Sequence, residues 1–305
     1  ASGACGSNTV WVQVPSSAFI CKKASRLDAF LLSGKHGHLL TEQAENSLPI
    51  QHKFDTINVV MGKTVSIKFH KMRTEDLKRQ VELSKRKADI KIPPFVVKQF
   101  DIDELREEGR ICYRLVPKQG FNGTYIMYLY SSKLCFPMNP TEWIFLAKTA
   151  LACHAGVFLP MYPLAPEHCC KEVFQMLVPT YRNCTKGQDV ERVVLMGCGA
   201  GGGLALSIAM LAWREGFRKP DQLILLSPMM DTEFFDKELE QELIESSKRS
   251  KWTFYNEHVK EFLNSYWVRD YAVKTEYTSP YYGDMTDICD DVVLFSGVQD
   301  LYHCY

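Results

Sequence analysis

The sequence has no excess of charge of either sign, because 36 lysines and arginines balance 36 aspartates and glutamates. A chain without net charge has no overall field to attract nucleic acid or an anionic membrane, so neither is expected as a partner. No apolar run approaches the roughly 18 residues of a membrane span. The first residues also lack the basic segment and apolar core of a secretory signal. These absences predict a soluble, cytoplasmic protein.

The cysteines lack a regular spacing. There are eleven, an odd number, and they are scattered along the chain. This distribution favours reduced and mostly buried thiols over a disulfide framework. The 305 residues are enough for one large core with an inserted or appended lobe, or for two ordinary domains.

Strands and helices alternate along much of the chain, which predicts the α/β class with a mostly parallel sheet and helices on both faces. The predicted strands are 95–102, 111–117, 124–130, 156–162, 193–196, 222–226 and 292–296, and the predicted helices are 74–88, 141–154, 170–183, 204–213, 235–251 and 253–268. Residues 1–94 are predicted as an N-terminal lid or cap, 95–231 and 278–305 as the core, and 232–277 as an inserted helical cap.

A glycine-rich turn joins a predicted strand to a helix within residues 193–205. Two kinds of site are built on such a unit. One is the nucleophile elbow G-x-S-x-G, whose serine position is occupied here by Gly199. The other is the dinucleotide-binding G-x-G-x-x-G, which Gly197, Gly199 and Gly202 match in full. The turn alone leaves both interpretations open.

Residues 162–168, Y-P-L-A-P-E-H, resemble the Y-R-L-A-P-E-H segment of the hormone-sensitive-lipase-like family of α/β-hydrolases. Four other stretches resemble motifs of that family in the same order: 197–202 its G-D-S-A-G-G, 226–231 its I-S-P-W-x-D, 278–281 its S-P, and 297–300 its G-x-x-D. The resemblance covers about residues 95–305 and implies an α/β-hydrolase fold. It also argues against dinucleotide binding, so no cofactor is expected.

The positions that would carry ester hydrolysis depart from the family pattern. Gly199 stands where the nucleophilic serine should be, and Cys198 replaces the aspartate before it. Residues 130–133, Y-S-S-K, replace the H-G-G-G loop whose N–H groups stabilise the oxyanion. The resemblance assigns four residues to the oxyanion loop and pocket: Tyr130, Ser131, Ser132 and Ala200. Cys198 is an alternative nucleophile, although neighbouring side chains on so sharp a turn do not share a direction.

The resemblance assigns the triad acid to Asp300, and a helix N-cap is the alternative role for this residue. The family places the histidine base after one further strand, whereas this sequence ends at Tyr305 and His303 is too close to Asp300 to serve. Cys153-His154 together with residues 168–170 are candidate ligands for zinc binding. The spacing of these residues does not favour it, so no metal is expected.

The three departures from the family motifs, at Gly199, at Cys198 and at residues 130–133, favour a pseudoenzyme that binds a small molecule or a protein partner. Removing one triad member lowers hydrolysis by on the order of a millionfold. The family includes plant gibberellin receptors, which lack the full triad and bind a hormone. A small apolar ester or hormone-like ligand is therefore expected, and a protein partner could use the lid. The alternative is an active carboxylic-ester hydrolase whose serine was mutated and whose histidine is missing from this sequence.

Overall fold

The structure, a computed structural model, describes residues 8–14, 73–87, 91–232 and 257–297. Its strands are β1 (Asn8–Val14), β2 (Phe100–Glu107), β3 (Arg110–Pro117), β4 (Thr124–Leu129), β5 (Gly156–Pro160), β6 (Arg192–Cys198), β7 (Gln222–Leu226) and β8 (Asp291–Gly297). They form one sheet in the order β1-β8-β7-β6-β4-β5-β3-β2. This architecture confirms the predicted α/β class.

Most of the sheet is parallel. The strands from β1 to β5 in that order run in one direction, whereas β3 is antiparallel to β5 and β2 is antiparallel to β3. Every residue of β5 and β7 is buried, as expected for strands covered on both faces. Parallel strands end at a common edge of the sheet, so the residues that follow β4, β6 and β7 meet there.

The helices are α1 (Thr74–Lys87), α2 (Pro94–Gln99), α3 (Pro140–Ala152), α4 (Cys170–Cys184), α5 (Ala200–Arg214) and α6 (Glu257–Phe262), with a π-helical turn at Leu263–Val268 and 3₁₀ turns at Ser132–Leu134 and Pro280–Tyr282. Helix α5 is buried over its first 13 residues, 200–212. Its position makes it the central helix against the sheet, where it contacts β6 and β7. Among the described residues, none of the helices combines the length and apolarity needed to cross a membrane.

The strand predicted over residues 95–102 is wrong in its first half, because helix α2 occupies Pro94–Gln99 and β2 begins only at Phe100. Proline at the first position of a helix loses no hydrogen bond, and its fixed φ favours the helical conformation. The pair Pro93-Pro94 therefore starts a helix instead of only ending the preceding one. Within α2 only Val96 is buried.

The first described segment belongs to the core sheet. Strand β1 pairs in parallel with β8, and the register runs from Asn8 opposite Asp291 to Val14 opposite Gly297. Residues 8–14 therefore form an edge strand, although they fall within the stretch 1–94 that the sequence assigns to a lid. Most of the remaining residues of that stretch lie outside the described part of the chain.

Helix α1 packs against the inserted segment. Leu77 and Val81, one helical turn apart, are both buried. The Thr74 hydroxyl donates to Glu261 Oε2 at 2.5 Å, and Lys78 Nζ lies 5.5 Å from the centre of the Tyr266 ring. These contacts join the N-terminal helix α1 to the segment between β7 and β8. The helix predicted at 235–251 lies outside the described residues.

Candidate functional site

The glycine-rich turn has the backbone of a nucleophile elbow. Strand β6 ends at Cys198, α5 begins at Ala200, and Gly199 between them has φ +54° and ψ −121°. The Gly199 N–H donates to the carbonyl of Leu226 at 2.8 Å, and its carbonyl accepts from the N–H of Met229 at 2.8 Å. A positive φ is a strained conformation for a side-chain-bearing residue, and such strain is concentrated at functional sites. Here glycine adopts it without steric cost.

The neighbouring glycines are explained by close packing. A Cβ added to Gly197 would lie 2.1 Å from the carbonyl oxygen of Gly201, and one added to Gly201 would lie 2.0 Å from the carbonyl oxygen of Leu129. A Cβ on Gly203 would lie 2.2 Å from the carbonyl oxygen of Met229. These positions must therefore be glycine for α5 to pack against the strand ends. In the G-x-G-x-x-G match, Gly197 has this packing explanation, Gly199 has its positive φ, and a Cβ on Gly202 would lie 3.0 Å from the Cα of Pro228.

Cys198, the alternative nucleophile, faces a different environment from position 199. It is the last residue of β6 and is half-buried. Its thiol is close enough to the Tyr128 and Tyr162 hydroxyls to interact with them electrostatically. The Cβ direction of Gly199 instead leads to Ser131, whose Oγ is 2.7 Å from the Cβ position. The two adjacent positions thus point to different groups.

The loop after β4 forms a left-handed turn without glycine. Ser132, Lys133 and Leu134 have φ values of +33°, +50° and +63°. Two of the amides that an oxyanion loop would present are already bonded within the protein. The Ser131 N–H donates to Glu142 Oε1 at 2.7 Å, and the Lys133 N–H donates to the Ser131 carbonyl.

Glu142 is a residue that sequence analysis missed. It belongs to the first turn of α3, where its N–H is capped by the Asn139 side chain at 2.9 Å. Its carboxylate reaches the loop after β4 and also accepts from the Tyr128 hydroxyl at 2.9 Å. Burial raises the pKa of Glu142, although the hydrogen bonds from Ser131 and Tyr128 oppose this effect. The only sequence signal was the cap Asn139, which indicates a helix start and not a contact with the loop.

Tyr162, the first residue of the Y-P-L-A-P-E-H segment, forms hydrogen bonds with the loop after β4. Its hydroxyl donates to the Tyr130 carbonyl at 2.5 Å and is 3.0 Å from the Ser132 hydroxyl. The Tyr130 and Tyr162 rings stack with their centres 4.4 Å apart. Burial raises the pKa of both phenols, so they remain neutral donors at ordinary pH. Tyr130 and Ser132, both predicted as site residues, therefore serve the loop's own structure.

Lys133 gives the loop a testable pH dependence, because burial lowers its pKa from the ordinary 10.5 to about 8. Between these two values the unfolded chain binds more protons than the folded one, so stability rises with pH across that window. A Lys133→Met variant is expected to exceed the natural chain in free energy of unfolding at pH 7 by about 1–3 kcal/mol, and the difference should shrink as the pH rises from 8 and close only above pH 10.5. Denaturant unfolding at several pH values measures this difference.

The matched control is Lys148→Met, since Lys148 is exposed on α3. This variant should follow the pH dependence of the natural chain. A Lys133→Met advantage that stays constant from pH 7 to pH 10 would show that the Lys133 amine is not desolvated in the folded protein.

Two of the sequence motifs, residues 226–231 and 278–281, are in contact with each other. Asp231 is buried, and its carboxylate accepts from the Ser279 hydroxyl at 3.0 Å and from the Tyr282 hydroxyl at 3.2 Å. The Ser279 hydroxyl also accepts from the N–H of Thr232 at 3.0 Å. The N–H of Tyr281 donates to the carbonyl of Met230 at 2.9 Å. Residues 230–232, after β7, are thus bonded to residues 279–282, before β8.

The structure does not bring together Cys153-His154 and residues 168–170, the alternative zinc ligands that the sequence disfavoured. His154 precedes β5 and His168 follows it, so the two groups lie at opposite ends of that strand. His168 Nε2 is instead 3.1 Å from Arg110 Nη2. No group of three or more His, Cys, Asp or Glu side chains suited to a metal occurs among the described residues. Asp300 lies outside them, so its role as the triad acid stays a prediction.

Comparisons with known proteins agree with this geometry. The family profile of the α/β hydrolase fold matches residues 126–303, more than half of the chain. A triacylglycerol lipase of Mycobacterium tuberculosis is 29% identical over 113 residues, which cover 36% of this chain and 25% of the lipase. The match therefore spans about a quarter of that relative's length.

Solved structures share the same fold. An esterase of the bacterial hormone-sensitive lipase family has a TM-score of 0.61 at 20% identity, covering 76% of this chain and 74% of its own. A hormone-sensitive lipase from a metagenome library has a TM-score of 0.58 at 20% identity, covering 76% and 81%. The chain belongs to the α/β-hydrolase family, as its resemblance to the hormone-sensitive-lipase-like members predicted.

Proposed function

We propose that this protein is a non-catalytic member of the α/β-hydrolase family that binds a small apolar ester or hormone-like molecule beside Gly199. The observation that carries the proposal is the backbone of Gly199, which has φ +54° and ψ −121° but no side chain. Covalent ester hydrolysis on an elbow needs an attacking oxygen or sulfur at that position. A site that keeps its turn and lacks its nucleophile is suited to binding without turnover.

The loop after β4 supports the same proposal. The Ser131 N–H is engaged by Glu142 and the Lys133 N–H by the Ser131 carbonyl. Loss of one oxyanion donor costs about 100- to 1,000-fold in rate. The Ala200 N–H, at the start of α5, remains a pocket donor in this proposal. A ligand could therefore be held at the elbow with little stabilisation of a tetrahedral intermediate.

The experiment that tests the proposal is the hydrolysis of 4-nitrophenyl butyrate by the natural chain and by Gly199→Ser. We expect neither protein to release nitrophenolate above the rate in buffer, because the variant restores only one missing part. Rapid turnover by the natural chain would refute the proposal. Circular dichroism of Gly199→Ser serves as the folding control.

The active-hydrolase alternative has one observation in its favour. The backbone at 199 keeps the elbow conformation, and among the described residues the only side chain within 4 Å of a Cβ there is Ser131, whose Oγ can rotate away. A serine could thus be accommodated. If Gly199→Ser alone produced turnover, the glycine would be a replaced nucleophile in an otherwise intact esterase, and the alternative would be preferred.

We also infer a cytoplasmic location. Among the described residues, eight cysteines carry free thiols, and seven of these are buried. Reduced thiols in this number are typical of a reducing compartment. A protein partner that uses the lid, with α1 and α6 in contact, remains a second kind of binding for the same protein.

A further inference from the structure

We propose that Cys112 and Cys184 are an oxidative modification site, at which hydrogen peroxide joins the two thiols in a disulfide bond. In the first step one thiol is oxidised to a sulfenic acid, and the peroxide is reduced to water. The sulfur of the second cysteine then displaces a water from the sulfenic acid, so two thiols and one peroxide give one disulfide and two waters. The site uses no residue of the elbow or of the loop after β4, so it is independent of the proposed function.

Strand β3 directs adjacent side chains to opposite faces of the sheet. Tyr113 faces helix α3, because its ring centre is 5.9 Å from that of Trp143. Cys112, the preceding residue of the strand, therefore faces the other side of the sheet. Arg110 and Arg114, which alternate with the odd-numbered residues of β3, share that face with it.

The end of helix α4 lies over the face of β3 that carries Cys112. Asn183, in the last turn of α4, donates from its Nδ2 to Glu107 Oε2 at 3.1 Å. Glu107 is directly opposite Arg110 in the ladder between β2 and β3, so it belongs to the same face. This contact fixes the end of α4 on one side of Cys112.

A second contact holds the chain just after α4. Asp189 accepts from Arg114 Nη2, and Arg114 lies on the same face of β3, on the other side of Cys112. Cys184 is the last residue of α4 and falls between Asn183 and Asp189 in the chain. The two contacts therefore place Cys184 beside Cys112.

The two thiols are in direct contact, since they form a hydrogen bond with each other. Cys112 is fully buried, and Cys184 is 7% exposed. The thiol of Cys169, in contrast, donates to a carboxylate oxygen, Glu172 Oε2, at 2.7 Å. A disulfide bond needs two sulfurs side by side on closely spaced main chains, and the end of α4 supplies this arrangement over β3.

The surroundings of the pair predict a slow reaction at neutral pH. The hydrogen bond with Cys112 and burial raise the pKa of the Cys184 thiol; Glu107 adds to this effect and Arg114 opposes it. The thiolate is the form that attacks peroxide, and a raised pKa keeps its population low. The pair is therefore expected to be reduced at rest and to form its disulfide faster as the pH rises.

Peptide mapping of the oxidised, folded chain tests the pairing. The natural chain is incubated with hydrogen peroxide at pH 8.5, denatured with a thiol-blocking reagent, and digested with trypsin without reductant. Trypsin cuts after lysine and arginine, so each cysteine lies alone in a short peptide, residues 111–114 and 183–186. We expect these two peptides to be joined, to be lighter than their sum by two hydrogens, and to separate on addition of dithiothreitol.

Two variants and a melting curve complete the test. Cys184→Ser should give no joined peptide, whereas Cys289→Ser, which removes a different buried thiol, should give the same joined peptide as the natural chain. The disulfide closes the long loop between residues 112 and 184, so the oxidised natural chain should melt about 5 °C or more above the reduced one. Cys184→Ser should show no such rise.

Two results would overturn the assignment. One is the recovery of Cys112 or Cys184 in a disulfide with another cysteine of the folded chain. The other is the recovery of both as blocked free thiols, after a treatment that oxidises the cysteines of the urea-unfolded chain.

Discussion

A Gly201→Ala variant is expected to lose about 3 kcal/mol or more of its free energy of unfolding. The added methyl would lie 2.0 Å from the carbonyl oxygen of Leu129 and 2.4 Å from that of Tyr130. Neither oxygen belongs to a flexible side chain, so α5 must move away from the end of β4. Overpacking that shifts the backbone typically costs about 1–3 kcal/mol and sometimes more. Denaturant unfolding, with the midpoint and slope both measured, gives this value.

The matched control is Gly216→Ala, just beyond the end of α5. Gly216 has φ +67° and no atom within 4 Å of its Cβ position. Its replacement should cost only the left-handed conformation, about 1–2 kcal/mol. If both variants lost the same free energy, the close approach of α5 to the end of β4 would not be a determinant of the fold.

An Asp231→Ala variant is expected to lose about 2–4 kcal/mol. The carboxylate is 1% exposed and accepts from the hydroxyls of Ser279 and Tyr282. Its removal leaves the buried Ser279 hydroxyl and the half-buried Tyr282 hydroxyl without this acceptor, which costs more than the net value of the hydrogen bonds. The loss should appear as a lower midpoint of thermal or denaturant unfolding.

Two variants test this explanation of Asp231. Asp231→Asn keeps an acceptor for Ser279 and should lose about 1 kcal/mol. Asp284→Ala removes an exposed carboxylate that accepts from the nearby Thr286, and should stay within about 0.5 kcal/mol of the natural chain. Comparable losses for Asp231→Ala and Asp284→Ala would show that the contacts of Asp231 with Ser279 and Tyr282 do not stabilise the fold.

The core could be predicted because its signals are local. The predicted strand at 222–226 coincides with β7, and the turn between β6 and α5 follows from glycines that break an apolar run. Helix α2 was missed because proline both ends one helix and starts the next. Strand β1 was missed for a different reason, since its place beside β8 depends on a partner almost 300 residues away in the sequence.

The candidate site could be predicted in part. The motif resemblance located Gly199 and the loop at 130–133, and the structure places these two elements in contact. The hydrogen bond from the Ser131 N–H to Glu142 could not be predicted, because it joins residues on different elements and neither belongs to a recognisable pattern. Sequence motifs therefore indicated where the candidate site lies. Tertiary contacts determine which backbone N–H groups of its loop are already hydrogen-bonded within the protein.

The central claim, that the elbow holds no nucleophile, is tested most directly by intact mass spectrometry after incubation with a fluorophosphonate. This reagent forms a stable covalent adduct with activated serine hydroxyls. The natural chain is expected to keep its unmodified mass under conditions that label an active serine esterase completely. A stoichiometric adduct on the natural chain, mapped by peptide analysis to Ser131 or to any other serine, would contradict the account.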